Sequence, residues 1–279
     1  MDFNQRWCIV LLSILFMPMN LVAQEKPQKN TVYNVNLKWE LPTSIGLLGA
    51  SYFGFREMDK YASYTEKDLY GLNPNDINAF DRPVVFYDPA GYDHGQQVSD
   101  MFLNICVASP LLLGLDSKAR KDWAALATMF VTTHTVNNAL YFTGVRSVRR
   151  ARPLTYNTAY DISLRTGEAR SNSFFSGHVS TSAASTFFAA KVLTDYHGIK
   201  GWKRLLVYTA AAIPPSLVGY YRMRAGKHFR TDVMVGLVVG AATGILVPEL
   251  HRKKNSNSKF SLSPFYYNNY SGFALTYKM

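Results

Sequence analysis

The strongest constraint on the fold is a series of helix-length stretches without Asp, Glu, Lys or Arg, at residues 101–115, 123–145, 171–190, 205–221 and 233–248. Segments of this length and polarity must bury one another or face lipid, so the chain is expected to fold as an all-α, compact bundle of five or six helices. Apolar residues make up 48% of the 279 residues and charged ones 18%, which excludes a disordered chain. With only two cysteines, Cys8 and Cys106, neither a disulfide framework nor a cysteine zinc site is available. The 30 basic residues exceed the 19 acidic ones, giving a net charge of +11 that favours an anionic partner without choosing among phosphate esters, acidic lipid and nucleic acid.

The flanking segments suggest where such a bundle resides. Residues 1–24 read as a signal peptide or N-terminal anchor, because Arg6 precedes an apolar run that ends at Ala23. Residues 25–97 read as a polar exported segment whose apolar stretch, 41–55, is expected on the membrane interface or against the bundle. A helical domain then spans residues 98–250. Residues 251–279 follow as a basic linker and a short β-hairpin, with Asn268-Asn269 as the turn signal. Lys118, Arg120 and Lys121, then Lys200, Lys203 and Arg204, then Arg252, Lys253 and Lys254 occupy alternate connections. That alternation is expected of cytoplasmic loops and puts 146–175 and 222–232 on the exported side of a membrane-embedded bundle. A soluble periplasmic helical domain is the alternative. Only 123–145 comfortably exceeds the ~20 residues needed to cross a bilayer, and it carries His134, Asn137 and Asn138, expected to serve helix packing.

Three clusters carry the chemistry. In the first, Arg146, Arg149, Arg150 and Arg152 precede Pro153, and guanidinium forks match phosphate oxygens. In the second, Ser173-Phe-Phe-Ser176-Gly177-His178 immediately precedes a small-residue helix at 179–190. Ser176 is placed to cap it, Gly177 lets backbone approach an anion, and His178 lies beside the first-turn N–H groups. In the third, Arg222 precedes His228 and Asp232, which are four residues apart and share a face if the segment is helical. A carboxylate on one ring nitrogen aims the other as a nucleophile. Each cluster alone has a bland reading as a solvated basic stretch, an ordinary helix start or a surface histidine.

Together, their order and separations resemble the type 2 phosphatidic acid phosphatase superfamily, whose motifs read Lys-x6-Arg-Pro, Pro-Ser-Gly-His and Ser-Arg-x5-His-x3-Asp. Arg152-Pro153, Ser176-Gly177-His178, and Arg222, His228 and Asp232 match. Val145 stands at the motif Lys with Arg146 as the nearest cation, Phe175 at the motif Pro, and Tyr221 at the first Ser. The resemblance implies a metal-independent phosphatase without cofactor. His228, oriented by Asp232, forms a phosphohistidine, and His178 protonates the leaving oxygen. Arg152, Arg222, Ser176, Gly177 and Arg146 hold the phosphate. A phosphorylated lipid and a membrane are the expected partners, with lipid A or undecaprenyl diphosphate as first candidate substrates in a cell envelope and the site on the periplasmic side of the inner membrane. A soluble nonspecific acid phosphatase and, more remotely, a vanadium-dependent haloperoxidase share these motifs. Nucleic-acid binding is disfavoured because the basic residues lie between helices rather than along a groove.

Overall fold

The computed structural model describes residues 31–253, 260–267 and 270–277. Its architecture is helical: α1 (Glu40–Tyr61), α2 (Tyr92–Ala108), α3 (Trp123–Ser147), α4 (Gly177–Tyr196), α5 (Gly201–Arg224) and α6 (Arg230–His251) form the bundle. The signal or anchor at residues 1–24 lies outside the described residues, as does Asn268-Asn269. Phe260–Tyr267 and Tyr270–Tyr277 run antiparallel, with Phe260 opposite Tyr277.

The helices run past the uncharged stretches that announce them. α2 starts at Tyr92 rather than 101 and continues as a 3-10 helix over Ser109–Leu115, while α5 reaches back to Gly201 and forward to Arg224. Charged and polar residues at helix ends keep the hydrogen-bonding pattern while their side chains find water or partners, so an apolar run underestimates its helix. α4 moves the other way at its start. Residues 171–176 form an irregular segment bridged to Arg150 through Asn172, and the helix begins only at Gly177. The segment 41–55 becomes part of α1, which packs along α3. Among the described residues, Pro89–Leu115 and Arg230–His251 are the stretches long and apolar enough to cross a bilayer, a different choice from 123–145.

α4 is the central helix, in contact with α2, α3, α5 and α6. Its small residues explain that position, since Ser180, Ser182, Ala183, Ala184 and Ser185 are all fully buried and present little bulk to their neighbours. On the facing side of α6, Gly236, Gly240 and Gly244 lie against the carbonyls of Ser176, Ser180 and Ala184; a Cβ on Gly240 would stand 2.1 Å from the Ser180 oxygen. The glycines thus permit backbone contact between the two helices that carry the second and third clusters.

Several polar residues inside the bundle find local partners. Thr128, Thr132, Thr133 and Thr135 of α3 return their hydroxyls to carbonyls four residues earlier, and Thr132 also pairs with Ser44 of α1 at 2.7 Å. His134 Nε2 meets Ser185 Oγ at 3.1 Å, and Asn137 donates to Ser180 Oγ at 3.2 Å, both across the α3–α4 contact. These residues bridge helices, as the sequence suggests. At the far end of α4, buried Lys191 pairs with Asp195 and, at 2.6 Å, with Glu249, while Tyr33 and Arg204 donate to Asp195 at 2.9 Å. This ionic knot ties α4, α5 and α6 to the start of the described chain.

Candidate active site

The irregular segment 171–176, the loop 225–229 between α5 and α6, and the turn after α3 converge at the N-terminal end of α4. His228 is 2% exposed and lies before the first turn of α6, so the four-residue spacing to Asp232 is not helical and the expected direct bond between them does not form. Instead His228 Nδ1 donates to the Ser173 carbonyl at 2.7 Å, the only role open to a ring nitrogen facing a carbonyl oxygen. That bond fixes the tautomer and leaves Nε2 with its lone pair. Burial, then Arg222 and Arg152, hold the imidazole well below its ordinary pKa. It is neutral at pH 7 and has the protonation state of a nucleophile.

Asp232 acts one step back. Its carboxylate accepts from Ser173 Oγ at 2.6 Å, from the Phe229 N–H at 2.8 Å and from Arg150 at 2.5 Å. Ser173 therefore couples the pair, its carbonyl on His228 and its hydroxyl on Asp232. No motif contains Ser173, and its role depends on an irregular backbone that sequence periodicity does not describe.

The arginines divide. Arg152 is 8% exposed, and its Nε donates to the Asn172 amide oxygen at 2.9 Å rather than to a carboxylate. Asn172 in turn donates to Asp59 of α1 at 3.1 Å. Arg222 is 3% exposed; it donates through Nη1 to Gln96 of α2 at 2.7 Å, and its buried Nε has no partner among the described residues. Arg146 is exposed and lies over the Tyr61 ring, 5.3 Å from its centroid, so it does not replace the motif lysine at the site. Arg149 is likewise drawn away, to Ser171, the Ser63 carbonyl and the Tyr61 and Tyr64 rings. Val145 is fully buried in one cluster with Phe175, Tyr141 and Met58, so two departures from the motifs pack into the same apolar core.

Lys227 precedes His228, and its backbone joins the same loop, its N–H on the Arg222 carbonyl at 3.1 Å. Burial, then Arg152 and Arg222, push its ammonium down to about 7. Ser176 is the N-cap residue of α4, yet its side chain makes no capping bond. Its Oγ is buried without a partner among the described residues, while its N–H donates to the Asp232 carbonyl at 3.1 Å. The first-turn N–H groups of α4, at Gly177 and His178, point toward the same end of the helix, where a partial positive charge accumulates. His178 Nε2 lies 3.2 Å from Asp100 Oδ1.

The segment ahead of α3 supplies groups that the clusters do not reveal. Asp59 backs Arg152 through Asn172, and Asp100 faces His178. Asp81, fully buried, accepts from Arg150 at 2.8 Å, from the Thr231 hydroxyl at 2.6 Å and from the Thr231 N–H at 3.0 Å. Arg150 thus bridges Asp81 to Asp232 while lying 4.2 Å from the centroid of the Phe229 ring. Nothing in the local sequence distinguishes these aspartates from surface ones. Among the described residues no group of three or more His, Cys, Asp or Glu side chains is arranged to hold a metal ion. The chemistry on offer is a neutral nucleophilic imidazole, a second histidine beside a carboxylate, and two buried guanidinium groups next to a helix N-terminus.

The family model of the PAP2 superfamily matches residues 121–256. No curated protein matches the chain. Among solved structures, that of a transmembrane PAP2-type phosphatidylglycerolphosphate phosphatase from Bacillus subtilis is 19% identical, with 77% of this chain and 94% of that chain covered and a TM-score of 0.40. The matched span contains all three clusters, from the turn after α3 to the end of α6.

Proposed function

We propose that the protein is a phosphatase that hydrolyses a lipid phosphate or diphosphate through a phosphohistidine. The observation that carries this reading is His228: buried, neutral, held through Nδ1 by the Ser173 carbonyl, and set beside Arg152 and Arg222. Nε2 attacks phosphorus in line as the bond to the leaving oxygen breaks, and His178 delivers the proton that oxygen needs. In the second half, His178 takes a proton from water, which attacks phosphorus and releases His228 and phosphate. Arg152, Arg222, Ser176 Oγ and the α4 N–H groups hold the nonbridging oxygens, and their fixed placement favours the charge distribution of the transition state. The partnerless Arg222 Nε and Ser176 Oγ fit that task, since an anion's oxygens satisfy both.

The lipid assignment rests on the bundle's outer surface. Trp202, Leu205, Leu206 and Ile213 of α5, Met234, Val238 and Leu246 of α6, and Met101 and Ile105 of α2 are exposed. A band of large apolar side chains on three helices is costly in water and at home in a bilayer. We read α2 and α6 as membrane-spanning, with the site opening on the exported side, and take lipid A and undecaprenyl diphosphate as the first substrates to test.

The test is phosphate release by the full chain in detergent against lipid A, a prenyl diphosphate, phosphatidate, phosphatidylglycerophosphate and 4-nitrophenyl phosphate. Wild-type protein is expected to prefer a lipid substrate, and His228→Ala to lose turnover while retaining phosphate binding. Full activity in His228→Ala, or no release from any substrate by wild type, rejects the reading.

A further inference from the structure

Protonating a leaving alkoxide requires that His178 carry a proton at the moment of bond cleavage, and its surroundings oppose this. The groups around it are Arg222, Arg152, His228 and Asp100, with Lys227 on the same loop as His228. Burial, then the Arg222 and Arg152 guanidinium groups, disfavour an imidazolium. Among the described residues, Asp100 is the carboxylate within ion-pair distance of His178, at 3.2 Å.

Its position is built rather than incidental. Gln96, one turn earlier on α2, donates from Nε2 to Asp100 Oδ2 at 2.7 Å while its Oε1 accepts from Arg222 at 2.7 Å. The amide is therefore oriented from both ends and leaves Oδ1 buried, without a hydrogen-bond partner among the described residues, 3.2 Å from His178 Nε2 and 3.9 Å from Arg222. Gly95 lets α2 come this close, since a Cβ there would lie 2.9 Å from the Ala225 nitrogen of the α5–α6 loop.

We infer that Asp100 is a positioning residue that keeps His178 competent as the proton donor, with Gln96 fixing the carboxylate. The inference rests on the phosphatase reading above and adds a group from outside the matched family region. With Asp100 on Nε2–H, the other ring nitrogen passes its proton to the ester oxygen. The P–O bond breaks as the bond from His228 Nε2 to phosphorus forms, so the alcohol leaves neutral and His178 is left neutral, still held by Asp100. In the second half it regains a proton from the attacking water.

Asp100→Asn in the full chain tests this with two soluble substrates, dioctanoyl phosphatidate, whose alkoxide leaves poorly, and 4-nitrophenyl phosphate, whose phenolate leaves readily. Loss of general-acid assistance is worth ~100-fold or more. We expect kcat for the phosphatidate to fall by about that factor and kcat for the nitrophenyl ester by less than about tenfold. The basic limb of the kcat profile should move down by about one pH unit, as expected when an anion beside an imidazolium is neutralised. Inhibition by inorganic phosphate should be retained or strengthened, because a negative charge has left the anion site. Equal losses on both substrates, an unmoved basic limb, or lost phosphate inhibition assign Asp100 a merely structural role and overturn the inference. A wild-type protein that releases no phosphate rejects the underlying reading instead, so the two failures are distinguishable.

Discussion

Replacing Gly240 by alanine probes whether the α4–α6 backbone contact sets the geometry of the site. The added Cβ would stand 2.1 Å from the Ser180 carbonyl oxygen, 2.8 Å from the Ala183 Cβ and 2.8 Å from the Ser180 carbonyl carbon. No flexible side chain can yield, so the helices must part by about 1 Å to reach an ordinary contact. Overpacking costs ~1–3 kcal/mol, and against backbone the upper end applies; alanine's helix propensity returns ~1 kcal/mol. The net loss, about 2 kcal/mol, lowers Tm by about 4–8 °C for a domain of this size. Because α4 carries His178 at its start and α6 follows directly on His228, the same displacement separates the proposed acid from the proposed nucleophile. A misplacement of ~1 Å can cost ~100-fold, so kcat should drop by about 10- to 100-fold with a smaller change in KM. Thermal unfolding in detergent and phosphate release measure the two effects. Gly49→Ala on α1, where nothing lies within 4 Å of the new Cβ, is the control and should keep full activity with unchanged or higher Tm. A Gly240→Ala protein with wild-type Tm and kcat would falsify the reasoning that this contact positions the site.

Two further outcomes follow from the site. Lys227, faced by Arg152, Arg222, Arg170 and Asp100, has its ammonium pushed down to about 7. It is a cation below that pH and neutral above it, so KM for a phosphate ester should rise as pH increases through about 7, and Lys227→Met should remove that step; an unchanged profile in the variant rules Lys227 out as its source. Asp81→Ala strips Arg150 of one of its two carboxylates and leaves the Thr231 donors unpaired; removing one partner of a buried pair costs ~3–5 kcal/mol, moderated here because Arg150 is partly exposed and keeps Asp232. A Tm fall together with reduced kcat is expected, and a Tm within a degree of wild type counts against the Asp81 to Asp232 bridge.

The sequence by itself determined the helical class and marked several of the groups that meet. Uncharged runs mark helices because a bundle interior or a bilayer leaves few places for charge, and Arg152, Ser176, His178, Arg222, His228 and Asp232 stand out by type and spacing. What the sequence left open depends on direction rather than identity. His228 and Asp232 look like a direct pair along one helix face, yet the helix begins after His228 and Ser173 comes between them. Arg146 looks like a substitute for the missing lysine, yet α3 carries it out to Tyr61, while the Val145 position is buried in apolar packing. Local spacing fixes neighbours within three or four residues, whereas Asp59, Asp81, Gln96 and Asp100 reach the site only because α1, α2 and the turns between them fold back onto the bundle. Only the tertiary structure decided which side chain supports which arginine, since Arg150 and Asp81 lie 69 residues apart and Arg222 and Gln96 lie 126 apart, and no local periodicity records their meeting.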